Sequence, residues 1–257
     1  MEKTKKITST FLFLPFLMFA QENKENFELI TDRPDATESP NTVPQHHFQI
    51  ETGVYYESFK ETDIKNETKG FNTTLLRFGI LENLELRMGW NFEEQAIENI
   101  NEVKSGFSPL LVGMKVSILN EKNFLPQIGL LGHLYLPFTA GHDYKPETTG
   151  VDFRFAFSHT LSEKSSLSYN LGAEWRNASP ETVYLYSLSY GYSLGNCGIY
   201  AEIYGDFPEN SKANHFVDAG ITYLINPNLQ WDATLGKSFT KGQDILLSTG
   251  FSYRIPK

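Results

Sequence analysis

The sequence predicts an all-β protein, an antiparallel up-and-down transmembrane β-barrel of about twelve strands behind an N-terminal signal peptide. Three observations predict this fold class. The N-terminus carries an export signal, apolar and polar residues alternate from about residue 46 to the end, and short turns alternate with longer polar connections. Beyond the signal there is no long apolar run and no sustained helical periodicity, which excludes a helical membrane protein.

Residues 1–20 have the features of a secretory signal peptide. Three lysines lie within the first six residues, and an apolar run from Phe11 to Ala20 follows them. This run is too short for a membrane-spanning helix, which needs about 20 apolar residues, and Pro15 interrupts it. We therefore expect an exported mature chain that begins near Gln21.

Charge and cysteine content restrict the function classes. The chain has a formal net charge of -9; residues 1–20 carry +2 of it, so the mature chain would carry -11. Such an acidic chain argues against a nucleic-acid partner. The single cysteine, Cys197, cannot form an internal disulfide, so the stability of the exported protein must come from the fold itself.

The alternation is clearest between Leu84 and Glu93, where five apolar residues share one face and five charged, polar or glycine residues share the other. A period of two is that of a strand and not of a helix. The same pattern recurs over Leu110–Ile118, Val151–Phe157 and Leu167–Trp175, and it continues to the C-terminus. We predict twelve strands in a barrel domain, residues 46–257, which follows a periplasmic N-terminal segment, residues 21–45.

The connections fall into two classes that alternate along the chain. Short turns are predicted at Leu81–Asn83, Asn120–Asn123, Leu161–Ser165, Gly195–Asn196 and Asn226–Asn228. Mostly longer, polar connections are predicted at Lys60–Lys69, Glu94–Gly106, Thr139–Thr149, Asn177–Pro180, Glu209–Ala213 and Thr240–Asp244. Outer-membrane barrels have short periplasmic turns and long outer loops. An even number of strands then places both termini in the periplasm.

A soluble lipid-binding barrel would show the same period with its faces reversed. Twelve strands, however, enclose a lumen too wide to be filled by aliphatic side chains. Aromatic residues also lie near strand ends on the apolar face, among them Trp90, Trp175, Tyr184 and Tyr253, as in the interfacial girdles of membrane barrels. We expect membrane lipid and lipopolysaccharide as partners of this face, and the outer-membrane assembly machinery as a partner in insertion.

The polar face of the strands carries both signs of charge. Its charged residues are Glu51, Glu57, Glu85, Glu93, Asp152, Glu174, Glu202, Asp206, Asp218 and Asp232, with Arg77, Arg87, Lys115, Arg154, Arg176 and Arg254. We expect two opposite-charge cross-strand pairs, Asp152 with Arg176 and Arg154 with Glu174. The alternative is that these charges only stabilise a hydrated or plugged interior and select no solute.

Arg77 and Arg87 are predicted to lie opposite each other, because the tight turn at Leu81–Asn83 joins their strands. Like charges across two strands are destabilising and require an anion. That anion is either Glu51 on a neighbouring strand or a carboxylate of the N-terminal segment acting as a plug. The lumen and plug candidates are therefore Asp32, Arg33, Asp35, Glu38, Glu51, Arg77, Glu85, Arg87, Asp152, Arg154, Glu174 and Arg176.

Three motifs suggest catalysis or metal binding, but their context disfavours both. Gly191–Gly195 matches the G-x-S-x-G motif around Ser193, yet that motif needs a helix after the turn and a strand follows here. Ser158 and His159 are adjacent strand residues and point to opposite faces. His46 and His47 have no metal-ligand spacing with a carboxylate cluster. We predict no catalytic residue, no metal and no cofactor.

The segment before the barrel is the most distinctive part of the sequence. Thr31–Ser39 is charged and contains Pro34; Val43–Pro44 and then the Gln-x-Glu-x-Gly pattern of Gln49–Gly53 follow it. This run resembles the opening of the outer-membrane β-barrel family of phenol-degradation meta-pathway (MetA-pathway) transporters. The resemblance implies a barrel that passes small aromatic or hydrophobic solutes.

Other interpretations of this sequence remain open. The acidic residues beside Pro34 and Arg33 could form a local turn with internal ion pairing instead of a ligand contact. A structural or adhesion barrel, whose loops make the contacts, is the alternative to a channel. An outer-membrane enzyme is a third hypothesis, which the composition of the loops disfavours.

Overall fold

A computed structural model of the protein describes residues 28–61, 64–98, 100, 102–175, 181–240 and 242–256. The predicted signal peptide, residues 1–20, lies outside the described residues. So do residues 21–27 of the N-terminal segment, Arg176 and the connection at 177–180.

The described residues form thirteen strand segments and two short 3₁₀ helices. The strands are β1 (Phe48–Glu61), β2 (Ile64–Leu81), β3 (Leu84–Ile97), β4 (Val103–Phe107), β5 (Leu110–Leu119), β6 (Gln127–Leu136), β7 (Gly150–Ser162), β8 (Ser165–Trp175), β9 (Val183–Leu194), β10 (Cys197–Pro208), β11 (Asn214–Asn226), β12 (Leu229–Ser238) and β13 (Gly242–Arg254). The 3₁₀ helices are Pro137–Thr139 and His142–Tyr144. None of the described helices is long and apolar enough to cross a membrane.

The strands close into a single antiparallel ring. Each strand pairs with its sequence neighbour, and β1 closes the ring by pairing with both β2 and β13. β4 and β5 both pair with β3, on either side of an interruption at Ser108–Pro109, so together they occupy one position in the wall. The wall therefore has twelve strand positions across the described ranges, which confirms the predicted barrel.

The two faces of the wall are those predicted from the alternation. On β3, Leu86 and Met88 are 43% and 39% exposed, whereas Glu85 and Arg87 between and beside them are buried. Large apolar side chains cover the outer face of other strands in the same way. An exposed apolar belt of this kind matches a bilayer and not water.

The connections differ from the prediction at the outer rim. Lys60–Lys69 was predicted to be a loop, but β1 runs to Glu61 and β2 begins at Ile64. Side-chain contacts explain the difference, because Glu67 accepts a hydrogen bond from Tyr56 Oη across the ladder and one from Lys65 Nζ along its own strand, both at 2.7 Å. Polar side chains that resemble a loop in sequence here pair across a projecting hairpin. Glu94–Gly106 is likewise largely strand, in β3 and β4.

The predicted pairing between β7 and β8 is wrong by two residues. Asp152 lies opposite Glu174, and Arg154 lies opposite Gly172. The register is set by a two-residue turn after Ser162 and an irregularity near Thr160, which place the strands differently from the longer turn that was assumed. Asp152 finds its partners on the other side, in β6.

Candidate functional site

Residues 28–45, which we call the lumenal segment, lie inside the barrel. The segment forms no strand ladder of its own, yet it contacts inward-facing side chains on strands around the ring. These wall residues include Glu51, Thr73, Glu85, Arg87, Lys115, Gln127, Asn170, Ser187, Glu202, Asp232 and Ser248.

Wall side chains accept hydrogen bonds from the backbone N–H groups of this buried segment. Buried N–H groups require an acceptor, and a segment without a ladder must find it elsewhere. The N–H of Asp32 donates to Glu51 at 3.0 Å, that of Ala36 to Glu202 at 2.7 Å, and that of Val43 to Glu85 at 2.7 Å. Wall carboxylates therefore bind the backbone of the lumenal segment and so determine the route that it takes through the barrel.

Three cations and four carboxylates form what we call the lumenal ion network: Arg77, Arg87 and Lys115 with Asp32, Glu38, Glu51 and Glu85. Arg77 and Arg87 lie opposite each other in the β2–β3 ladder, as the tight turn predicted. The three cationic side chains are at most 1% exposed, so each needs close anions.

Arg77 is held mainly by the wall. Its guanidinium lies 2.8 Å from Glu51 Oε1, 2.9 Å from Glu85 Oε2 and 3.0 Å from Asp32 Oδ2. Both wall carboxylates accept direct hydrogen bonds from it. Arg77 thus joins two wall strands to the lumenal segment.

Arg87 and Lys115 are held mainly by the lumenal segment. Arg87 donates a bidentate pair to Glu38 at 2.8 and 3.0 Å. Lys115 Nζ lies 2.7 Å from Asp32 Oδ2 and 3.2 Å from Glu38 Oε2. Asp32, Asp35 and Glu38 are the acidic plug candidates that could neutralise Arg77 and Arg87. The structure brings Asp32 and Glu38 to these arginines and places Asp35 elsewhere.

The charge of Glu38 depends on this contact. Burial acts to raise the pKa of Glu38, but the positive charges of Arg87 and Lys115 outweigh it and hold the pKa well below its ordinary value. Glu38 is therefore ionised across the physiological range. Its contribution to docking is present above its ordinary pKa of about 4.5 and is lost only as the pH falls through the lowered value.

Asp35 lies on the other half of the lumen, beside Glu202 and Ser189. Burial and the neighbouring Glu202 carboxylate raise the pKa of Asp35 well above its ordinary value; the Ser189 hydrogen bond opposes this shift only in part. A group whose pKa is raised on docking favours the docked state at low pH. That contribution is lost as the pH rises through the raised value.

We therefore expect the lumenal segment to loosen with rising pH. The conductance of reconstituted protein should increase as the pH rises through the raised pKa of Asp35, and Asp35→Asn should flatten this increase because the amide does not titrate. Single-channel recording at stepped pH measures it. Glu209→Gln, in an exposed connection, is the matched control and should keep the slope. If Asp35→Asn leaves the slope of conductance against pH unchanged, the titration of Asp35 does not loosen the lumenal segment.

Arg33 extends across the lumen to a different part of the wall. Its guanidinium donates to Asp232 at 2.9 and 3.2 Å, to Ser248 at 3.1 Å and to Thr73 at 3.4 Å. Glycine is needed beneath it: a Cβ at Gly250 would lie 2.6 Å from Arg33 Nη2. The pair with Asp232 was not predicted from the sequence.

The remaining predicted residues lie nearby without entering the ion network. Asp152 accepts hydrogen bonds from Tyr135 Oη at 2.7 Å and pairs with His133 Nδ1 at 2.8 Å. Arg154 donates to the carbonyl of Ala36 over a long 3.5 Å contact. Glu174 faces Asp152 in the ladder, and Arg176 is outside the described residues.

The residues whose motifs suggested catalysis or metal binding do not form such a site within the described ranges. Ser193 is a strand residue of β9, two positions before a tight turn into β10, and no helix follows it. Within the residues that the structure describes, no group of three or more histidine, cysteine or acidic side chains could hold a metal ion.

Lys115, His133 and Tyr135, like Glu202 and Asp232, are site residues that were not among the predicted candidates. Alternation placed Lys115 on the polar face, but its depth in the lumen depends on how β5 pairs with β3. The long connection after β3 leaves that register undetermined in sequence. The burial of His133 beside Asp152 depends in the same way on the β6–β7 register.

Two cavities occupy the lumen on either side of the lumenal segment. The outer cavity, about 700 Å³, opens toward the β6–β7 connection, and Asp143–Pro146 line it. It also reaches the wall interruption at Ser108–Pro109. The inner cavity, about 480 Å³, opens toward the short-turn rim and is lined by hydroxyl groups of many serine, threonine and tyrosine residues. The lumenal segment therefore divides the lumen.

Solved structures with this architecture include an outer membrane channel, an autotransporter translocator domain and a porin. The COG4313 outer membrane channel from Pseudomonas putida F1 has 14% identity and a TM-score of 0.65, over 84% of this chain and 97% of that one. The translocator domain of autotransporter NalP from Neisseria meningitidis has 9% identity and a TM-score of 0.53, covering 81% and 88%. The NanC porin has 9% identity and a TM-score of 0.51, covering 79% and 98%.

At these identities the likeness shows the fold alone, which is that of an outer-membrane β-barrel. No curated protein matches the sequence. One family model matches residues 31–255, and this range includes nearly all of the lumenal segment together with the complete wall. The chain therefore belongs to the family described as "Putative MetA-pathway of phenol degradation".

Proposed function

We propose that this protein is an outer-membrane channel for small hydrophobic or aromatic solutes, and that the lumenal segment restricts its pore as a plug on the periplasmic side. The observation that carries the proposal is the outer cavity. It opens at the long-connection rim, lies inside a closed barrel and has the lumenal segment as its floor.

The lining of the outer cavity suits such solutes. Leu75, Leu111, Tyr135 and Tyr144 contribute apolar and aromatic surface, among charged residues that include Arg87, Glu93 and Lys145. Small-molecule sites combine apolar and aromatic contacts with placed polar groups. The Pseudomonas putida relative is an outer membrane channel, and the family description refers to phenol degradation; both agree with this solute class.

The outer face implies further partners. Its exposed apolar side chains would contact membrane lipid and, in the outer leaflet, lipopolysaccharide. A closed barrel of this kind would also require the outer-membrane assembly machinery for insertion. We propose transport and not catalysis as the activity.

Liposome swelling tests the proposal. The mature chain and a variant lacking residues 28–43 are reconstituted at equal density and challenged with small solutes graded in size and polarity. We expect slow permeation through the mature chain and clearly faster permeation through the variant, because removal of the segment joins the two cavities. If neither protein passes any solute while both are folded, the channel proposal fails and the structural or adhesion role takes its place.

A further inference from the structure

Arg33 occupies the boundary between the two cavities. Arg33 lines the outer cavity together with Asp32 and Glu38, and it also lines the inner cavity together with Pro34 and Asp35. Among the described residues it is the one that both cavities share. A path that joins the cavities without displacing the whole lumenal segment would therefore pass this residue.

The Arg33 side chain is held more loosely than the arginines of the ion network. It is 16% exposed, whereas those of Arg77 and Arg87 are 1% exposed. Among the described residues its carboxylate partner is Asp232, and its other side-chain hydrogen bonds go to hydroxyl groups. Movement of Arg33 would break one ion pair and leave every contact of the ion network in place.

The pair also has a defined electrostatic character. A guanidinium and a carboxylate at 2.9 Å cancel in net charge, so the pair carries no net charge beside the residue that both cavities share. An ion of either sign is attracted by one group and repelled by the other, so the intact pair does not offset the ion's loss of hydration, whereas a neutral solute loses little hydration energy. Rings of one sign of charge favour ions of the opposite sign, so either group left alone would favour one sign of ion.

We propose that the Arg33–Asp232 pair is the constriction of the channel and its charge filter, and that it selects neutral small solutes over ions. This inference rests on the proposed function and names the residues that determine specificity within it. The ion network anchors the lumenal segment, and the Arg33–Asp232 pair controls what passes beside it.

Reversal potentials across planar bilayers in a salt gradient test the proposal. Arg33→Gln leaves Asp232 unpaired, so selectivity should shift toward cations; Asp232→Asn leaves Arg33 unpaired, so it should shift toward anions. We expect permeability ratios to change by roughly twofold to tenfold for one uncompensated charge in a narrow pore. The double variant should return to the parental ratio.

Two exposed positions supply matched controls. Lys122→Gln and Asp244→Asn make the same changes in net charge away from both cavities and should leave the permeability ratio unchanged. Opposite shifts in the two single variants support the proposal. Currents that persist with no shift, or with shifts in the same direction, overturn it and leave the channel function standing. If every folded protein, the parent included, carries no current, both the selectivity proposal and the channel function are contradicted.

Thiol accessibility gives a second measurement that does not depend on the charge of the pair. Arg33→Cys is made in a Cys197→Ser background, because Cys197 lines the inner cavity. A thiol-reactive cation is then added from each side of the bilayer. We expect Arg33→Cys to react from both sides, Glu93→Cys from the outer side and Ser168→Cys from the inner side. Reaction of Arg33→Cys from one side alone would overturn its position at the constriction.

Discussion

Replacement of Asp32 by asparagine is expected to release the lumenal segment and to raise single-channel conductance several-fold. The Asp32 carboxylate lies 3.0 Å from Arg77, 3.2 Å from Arg87 and 2.7 Å from Lys115. Removal of one partner from a buried charge cluster costs about 3–5 kcal/mol, and here Lys115 loses its shortest ion pair while Arg77 and Arg87 each lose one of their anions. A loss of this size would increase the undocked population by at least roughly a hundredfold.

Two measurements check this expectation at pH 8. Burial raises the pKa of Asp32 to about 6 against the opposing effect of Arg77, so the parental carboxylate is ionised at that pH. Conductance reports the open lumen, and a glutamate-specific protease reports exposure of Glu38. Glu209→Gln, an acid-to-amide change in an exposed connection, should alter neither. An Asp32→Asn protein with parental conductance and a protected Glu38 would contradict the anchoring role.

Replacement of Arg77 by methionine is expected to reduce the stability of the barrel itself. Arg77 is 1% exposed and neutralises Glu51 and Glu85, whose side chains are fully buried, as well as Asp32. Without it, three carboxylates remain close together in a buried part of the lumen. We expect the free energy of unfolding to fall by about 3–5 kcal/mol, the cost of breaking a buried pair from one side.

Urea unfolding of the refolded barrel in lipid vesicles, followed by tryptophan fluorescence, measures this loss. Arg154→Met is the matched control, because Arg154 faces the same lumen but forms no close ion pair with the described residues and donates only a long hydrogen bond to the carbonyl of Ala36. The Arg154→Met change should lower the free energy of unfolding by less than about 1 kcal/mol. Addition of Glu51→Gln and Glu85→Gln to Arg77→Met should recover part of the stability, because neutral groups no longer need the cation. If Arg77→Met and Arg154→Met lower the free energy of unfolding equally, Arg77 stabilises the barrel only through packing.

Much of the wall could be predicted because its signals are local. The alternation from Leu84 to Glu93 assigns Glu85 and Arg87 to one face from the two-residue period alone. The tight turn after Leu81 sets the β2–β3 register, so the opposition of Arg77 and Arg87 also followed. Acidic residues before the first strand then supplied the expected anions.

The predictions were wrong where register depends on geometry that the sequence does not encode locally. Asp152 was paired with Arg176, but a shorter turn places it opposite Glu174 and gives it His133 and Tyr135 as partners. Lys65 and Glu67 were assigned to a loop because they are polar, yet both belong to β2, where they pair along the strand and Glu67 also accepts a hydrogen bond from Tyr56 across the hairpin. A difference of two residues in a turn changes every partner along a strand without changing its faces.

By itself, the sequence determined the closed barrel, the faces of its strands and the opposed arginines, because each follows from a short-range period or a tight turn. Only the tertiary structure decided that Asp32 and Glu38 meet the cations, that Asp35 turns to Glu202, and that Arg33 divides the lumen. The lumenal segment has no period and no ladder, so its path depends on wall groups far apart in the chain, such as Glu51, Glu202 and Asp232, which come together only when the ring closes.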